Sequence, residues 1–148
     1  MTYRNVLVAV DTTDEAEEVL QAAREIANDD KSEISVVTVI RPMTDFYVNL
    51  FSILEDNASI GIESQVVSHA TTWLSDLATR NGIEASAVNV IVGVPAVEIH
   101  RIAENLDADL IVLGTHGRHH LGLMLGSTAN AVLHGAPCDV LAVKVRVD

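Results

Sequence analysis

Five short runs rich in Val, Ile and Leu are separated by four stretches of helical periodicity. Tyr3 to Val10, Ile34 to Ile40, Ser86 to Val92, Asp109 to Leu113 and Val140 to Val147 read as strands, being short, apolar and rich in β-branched residues. Between them, Ala16, Val19, Leu20, Ala23, Ile26 and Ala27 fall on one helical stripe, with charges opposite. Glu63 to Arg80 carries a second stripe through Val66, Val67, Ala70, Trp73, Leu74 and Leu77, and Asn81-Gly82 signals its end. Pro95 suits the first turn of a third helix with Val97, Ile99, Ile102, Ala103 and Leu106, and a fourth starts at Ser127 and ends near His134-Gly135. Thr12 and Glu15 have the spacing of a capping box for the first helix. Strands alternating with helices predict an α/β domain with a parallel sheet, and right-handed crossovers make it doubly wound, with helices on both faces. Ligands of such folds sit at the carboxyl ends of the strands, where strand order reverses.

A length of 148 residues fits one domain, and 49% hydrophobic residues supply its core. Aromatic residues make up 3%, so the core must be aliphatic. No run approaches the roughly 20 apolar residues of a bilayer span, and the N-terminus lacks a secretory pattern, so the expected location is cytoplasmic. The lone Cys138 excludes an intrachain disulfide and fits a reducing compartment. Nine basic residues against 21 acidic ones give a net charge of −12. Such a surface disfavours nucleic acid and anionic membranes, which require a basic footprint.

The chemistry-bearing segment is Gly114-Thr115-His116-Gly117, then eight residues, then Gly126-Ser127-Thr128. It joins the fourth strand to the fourth helix. Glycines there allow backbone N–H groups and a helix N-terminus to approach an anion, most often a phosphate. There is no Walker lysine; Arg118 is the cation within the loop, and Ser127 serves either as a phosphate donor or as a simple N-cap. Asp11, at the end of the first strand, is a hard oxygen donor near a helix start. His116, His119 and His120 cluster without a further well-placed ligand, and His69, His100 and His134 read as solvated helix positions. No nucleophile elbow is present, so acyl-transfer chemistry is not expected, and Cys138 reads as a small packed group. Met43 to Gly61 gathers both Phe residues and Tyr47 in a partly helical excursion over the open end of the sheet, either a loop with its own small core or a lid or surface for a protein partner.

With these residues placed, the chain resembles the universal stress protein family over essentially its whole length. The likeness rests on the first strand ending in Asp11, Val36 to Ile40, Val90-Ile91-Val92-Gly93-Val94-Pro95, Asp109 to Arg118, Gly126-Ser127-Thr128-Ala129, and Ala136-Pro137-Cys138-Asp139-Val140-Leu141-Ala142-Val143. The resemblance implies one domain over 1–148, Rossmann-like and of the adenine nucleotide alpha hydrolase type, with strand order 3-2-1-4-5. It implies a stress-response protein that binds ATP, AMP or another adenine nucleotide in the crevice between strands one and four. By resemblance, Ala9, Val10, Asp11 and the Val39 main chain hold the adenosine side, and Gly114, Thr115, His116, Gly117, Arg118, Gly126, Ser127 and Thr128 the phosphates. Asp11 would meet a metal only through nucleotide-bound Mg²⁺. Slow hydrolysis at most is expected, the nucleotide acting as a signal. Nucleotide-binding members place nine residues between the second and third glycines; here Arg118 to Leu125 are eight. The family's founding branch shares the shorter spacing, lacks the glycines and is regarded as not binding ATP, so a nucleotide-independent interaction module is the alternative. The resemblance also implies a homodimer formed by antiparallel pairing of the last strand, Val140 to Val147, whose β-branched edge invites such pairing. Lys144 and Arg146 would otherwise protect that edge.

Overall fold

Period-two alternation sorts the side chains of the central strands onto two faces, and both faces are apolar. The computed structural model describes residues 2–28, 32–42, 56–115 and 126–145, excepting the side chains of 56–60 and 85. Five parallel strands, β1 (Asn5–Ala9), β2 (Glu33–Ile40), β3 (Val88–Val92), β4 (Leu110–Gly114) and β5 (Asp139–Val143), form one sheet in the order β3-β2-β1-β4-β5. That is the order expected. Val8 of β1 lies between Val36 of β2 and Val112 of β4.

Among the described residues four helices cover the sheet: α1 (Glu15–Ile26), α2 (Asp56–Arg80), α3 (Pro95–Asn105) and α4 (Ser127–Leu133). Val6, Val8, Val36 and Val112 pack with Val19 and Leu20 of α1 and Leu74 and Leu77 of α2. On the other face, Leu7, Val37 and Ile111 pack with Ile99 and Ile102 of α3 and Ala129 and Val132 of α4. Burying Leu7, Leu20, Leu74, Leu77 and Ile111, all 0–1% exposed, contributes about 1.5–3 kcal/mol apiece. No helix among the described residues is long and apolar enough to cross a membrane.

Local chemistry explains where the helices stop. Gly82, at φ 75, donates its N–H to Thr79 O at 3.1 Å while Ile83 N–H reaches Ala78 O at 2.8 Å. This pair of bonds is the Schellman motif that Asn81-Gly82 predicted. α3 closes in the same way without a glycine: Asp107 sits at φ 51, and Ala108 N–H donates to Ala103 O at 2.9 Å.

Several boundaries differ from expectation. α1 begins at Glu15 with Asp14 in the cap position, two residues later than a cap at Thr12 would place it. Ala16 N–H donates to Thr13 O at 3.0 Å, so residues 11–14 are used to turn the chain out of β1. α2 begins at Asp56, which makes the last six residues of the Met43 to Gly61 segment helical; 43–55 lie outside the described residues. Ala85–Ala87 forms a 3₁₀ turn, and β3 starts after it. β5 ends at Val143, not Val147, because its neighbour β4 ends there: Gly114 pairs with Val143, and Thr115 N–H donates to Val143 O at 2.8 Å. Val145, expected on a paired edge, is 4% exposed and belongs to the core beneath α1 and α2. Residues 146 and 147 lie outside the described residues.

Candidate functional site

β1 lies between β2 and β4, so the chain's winding reverses between β1 and β4, and the two crossovers leave opposite faces of the sheet. A cleft of about 870 Å³ opens at that point, over the carboxyl ends of β1, β2 and β4. Its size falls within the roughly 300–1,000 Å³ usual for small-molecule sites. Ala9, Val10 and Asp11 at the exit of β1 line it, as do Val37 to Arg41 at the end of β2. Leu113 and Gly114 close the β4 side, and Gly126, Ser127, Thr128 and Ala129 at the start of α4 face them.

Eight of the twelve residues proposed from sequence for the ligand therefore share one cleft: Ala9, Val10, Asp11, Val39, Gly114, Gly126, Ser127 and Thr128. Thr115 is not among its walls. Its N–H is engaged by Val143 O, and its carbonyl accepts Gly126 N–H at 2.6 Å. Its hydroxyl oxygen is buried with no hydrogen-bond partner among the described residues. Thr115 thus ties the end of β4 to β5 and to the start of α4. His116, Gly117 and Arg118, with His119 and His120, lie outside the described residues.

The exit of β1 carries a detail that no motif revealed. Val10 N–H donates to Val37 O at 3.0 Å, one rung past the last residue of β1. In a parallel ladder the next rung would run from Val39 N–H to Val10 O. No such rung occurs among the described residues; the buried Thr38 hydroxyl donates to Val10 O instead, at 2.8 Å. Thr38 is 4% exposed and lines the cleft. In the sequence it is one more β-branched strand residue, and nothing marks it out.

α2 adds a wall that the sequence analysis did not assign to the site. Val66, His69, Ala70 and Trp73 recur at helical spacing and line the cleft. His69 is exposed, as expected of a solvated helix position, but it borders the site. His100 departs from that expectation: it is half-buried, with Nε2 2.7 Å from Val132 O, and joins α3 to α4. Among the described residues no three His, Cys, Asp or Glu side chains converge as a metal site. At the β1 exit the hard donors lining the cleft are Asp11, Thr12, Thr13 and Glu15. A set so short of carboxylates suits a Mg²⁺ that keeps water and phosphate oxygens, not a metal caged by protein alone.

Fold and cleft define a doubly wound α/β protein with an open crevice at the switch point. The sequence profile of the universal stress protein family matches residues 2–144, and the chain belongs to that family. It is 37% identical, over 146 residues and 99% of both chains, to universal stress protein A homolog 1 of Coxiella burnetii. Its backbone matches hypothetical protein MJ0577, a test case for assigning biochemical function from structure, with a TM-score of 0.81 over 100% of both chains at 23% identity. It also matches a universal stress protein in complex with cAMP, with a TM-score of 0.59 at 23% identity over 97% of this chain and 98% of the other. At such identities the two structures establish the shared fold.

Proposed function

We propose that this stress-response protein binds an adenine nucleotide in the cleft at the β1/β4 switch point and that the bound nucleotide acts as a signal. The observation that carries the reading is the meeting, in one cleft, of Asp11 and Val39 from one side with Gly114, Gly126, Ser127 and Thr128 from the other. A fold relative in complex with cAMP supports the same ligand class. Val39 offers the base its main chain, Asp11 faces the ribose or a phosphate-bound Mg²⁺, and the glycines admit phosphate close to the backbone. Bound Mg²⁺ would screen phosphate charge against a chain of net charge −12. The Gly114 to Thr128 segment carries no Walker lysine, so slow hydrolysis at most is expected.

Native mass spectrometry of freshly purified protein, followed by calorimetry with AMP, ATP and inosine monophosphate, tests this. One adenine nucleotide per chain is expected, with inosine monophosphate weaker by about tenfold, because its ring nitrogen donates where adenine's accepts. Absence of heat with AMP and ATP, with and without Mg²⁺, would overturn the reading.

One observation favours the second reading, a nucleotide-independent interaction module. The N–H groups of Thr115 and Gly126, at the two ends of the short loop, are both engaged by the protein itself. In that reading the homodimer formed along the β5 edge, or a protein partner, carries the function. Solution mass and partner binding unaffected by AMP would favour it.

A further inference from the structure

The exit of β1 raises a question that the nucleotide reading leaves open: what keeps the Val39 main chain available. Two parallel strands left alone continue their ladder until one turns away, and each rung removes an N–H and a C=O from use. Val37 and Val39 pack toward α3 and α4. Thr38, between them, therefore points toward α1 and α2. Its hydroxyl holds Val10 O at 2.8 Å in a buried setting. The bond comes from the α1/α2 side of the sheet and engages the carbonyl that the next rung, from Val39 N–H, would use. Val39 N–H and C=O then face the crevice where β1 has ended, and no backbone bond to either from across that crevice occurs among the described residues.

We infer that Thr38 is a positioning residue: its hydroxyl caps Val10 O, stops the β1–β2 ladder one rung early, and so leaves Val39 to pair with a flat ligand edge that carries an acceptor beside a donor. Adenine presents such an edge through its ring nitrogen and exocyclic amine. The inference rests on the adenine nucleotide reading for its ligand but not for its geometry. A valine at position 38 removes the donor with little change of size. Val10 O then takes Val39 N–H, and the ladder closes over the recognition edge. A serine keeps the donor.

Amide hydrogen exchange and calorimetry on the wild type, Thr38→Val and Thr38→Ser separate the possibilities. In the ligand-free wild type, Val39 N–H is expected to exchange far faster than Val37 N–H and to slow on addition of AMP. Thr38→Val is expected to protect Val39 N–H without ligand and to weaken AMP about tenfold, roughly the worth of one buried hydrogen bond. Thr38→Ser is expected to restore both, which a merely structural loss would not do. If the wild type binds no AMP, the nucleotide reading fails, while the exchange of Val39 still decides the role of Thr38. Should Thr38→Val not fold, the wild-type comparison of Val39 with Val37 decides alone. Equal protection of Val39 and Val37 in the ligand-free wild type, or Thr38→Val with wild-type Val39 exchange and AMP affinity, would overturn the inference.

Discussion

Asp107 holds a left-handed backbone, φ 51, at the end of α3, where Gly82 does the same work at φ 75 for α2. A side chain in that region is strained, though aspartate tolerates it better than most. Asp107→Gly is therefore expected to stabilise the fold by about 0.5–1 kcal/mol, and Gly82→Ala to destabilise it by about 1 kcal/mol. Urea midpoints of the two variants, shifting in opposite directions, check the assignment; a loss of stability in Asp107→Gly would contradict it. Cys138 shows a second residue-scale effect. Burial pushes its thiol up from the ordinary value of 9.0, with the Asp139 and Asp109 carboxylates adding to the shift. The folded state then retains the proton more tightly than the unfolded chain does. The contribution is fully present below about pH 9 and fades as pH rises through the folded value. Alkylation of Cys138 at pH 8 should accordingly run slower than that of a free thiol and speed up on unfolding. Equal rates in the folded and unfolded protein would refute this.

Elements were legible where periodicity ran uninterrupted and opaque where a neighbour decided. Stripes through Ala16, Val19, Leu20 and Ala23 and through Ile99, Ile102 and Ala103 announced α1 and α3, and those residues are buried. The end of β5 could not be read, because Val143 and Val145 alternate with Lys144 as a strand would. Only the length of β4 shows that the ladder stops at Val143, and Val145 turns into the core. His100 was misread for a similar reason: its partner, Val132 O, belongs to another helix 32 positions away. That bond fixes α4, whose first residues line the cleft. Removing it with His100→Ala is expected to destabilise the fold by about 1 kcal/mol. Amide exchange should rise in α4 more than in α1, and His100→Gln, which retains a donor, should recover part of the loss. Uniform exchange across both helices would argue against a local tie.

At the scale of the whole molecule, a net charge of −12 on 148 residues sets carboxylates against one another across the surface. Self-repulsion destabilises the compact state, and salt screens it. Raising ionic strength from about 0.01 to 0.15 M shortens the screening length from roughly 30 to 8 Å. The melting temperature should therefore climb over that range; a fall would show that attractive pairs dominate instead. The two-faced core was readable because β-α alternation and handed crossovers leave few topologies, and the strand order came from the family resemblance. The position of the cleft followed from the same rule, while its fine structure did not. The Thr38 hydroxyl meets Val10 O, 28 positions away, a relation between strands that no single stretch of sequence encodes. Backbone amide chemical shifts recorded during a titration with AMP test the central claim most directly. The account predicts saturable shifts at Asp11, Val39, Gly114 and Ser127, with β3 and the far end of α2 unmoved. Saturable binding whose shifts fall elsewhere, or no shifts at millimolar AMP, would contradict it.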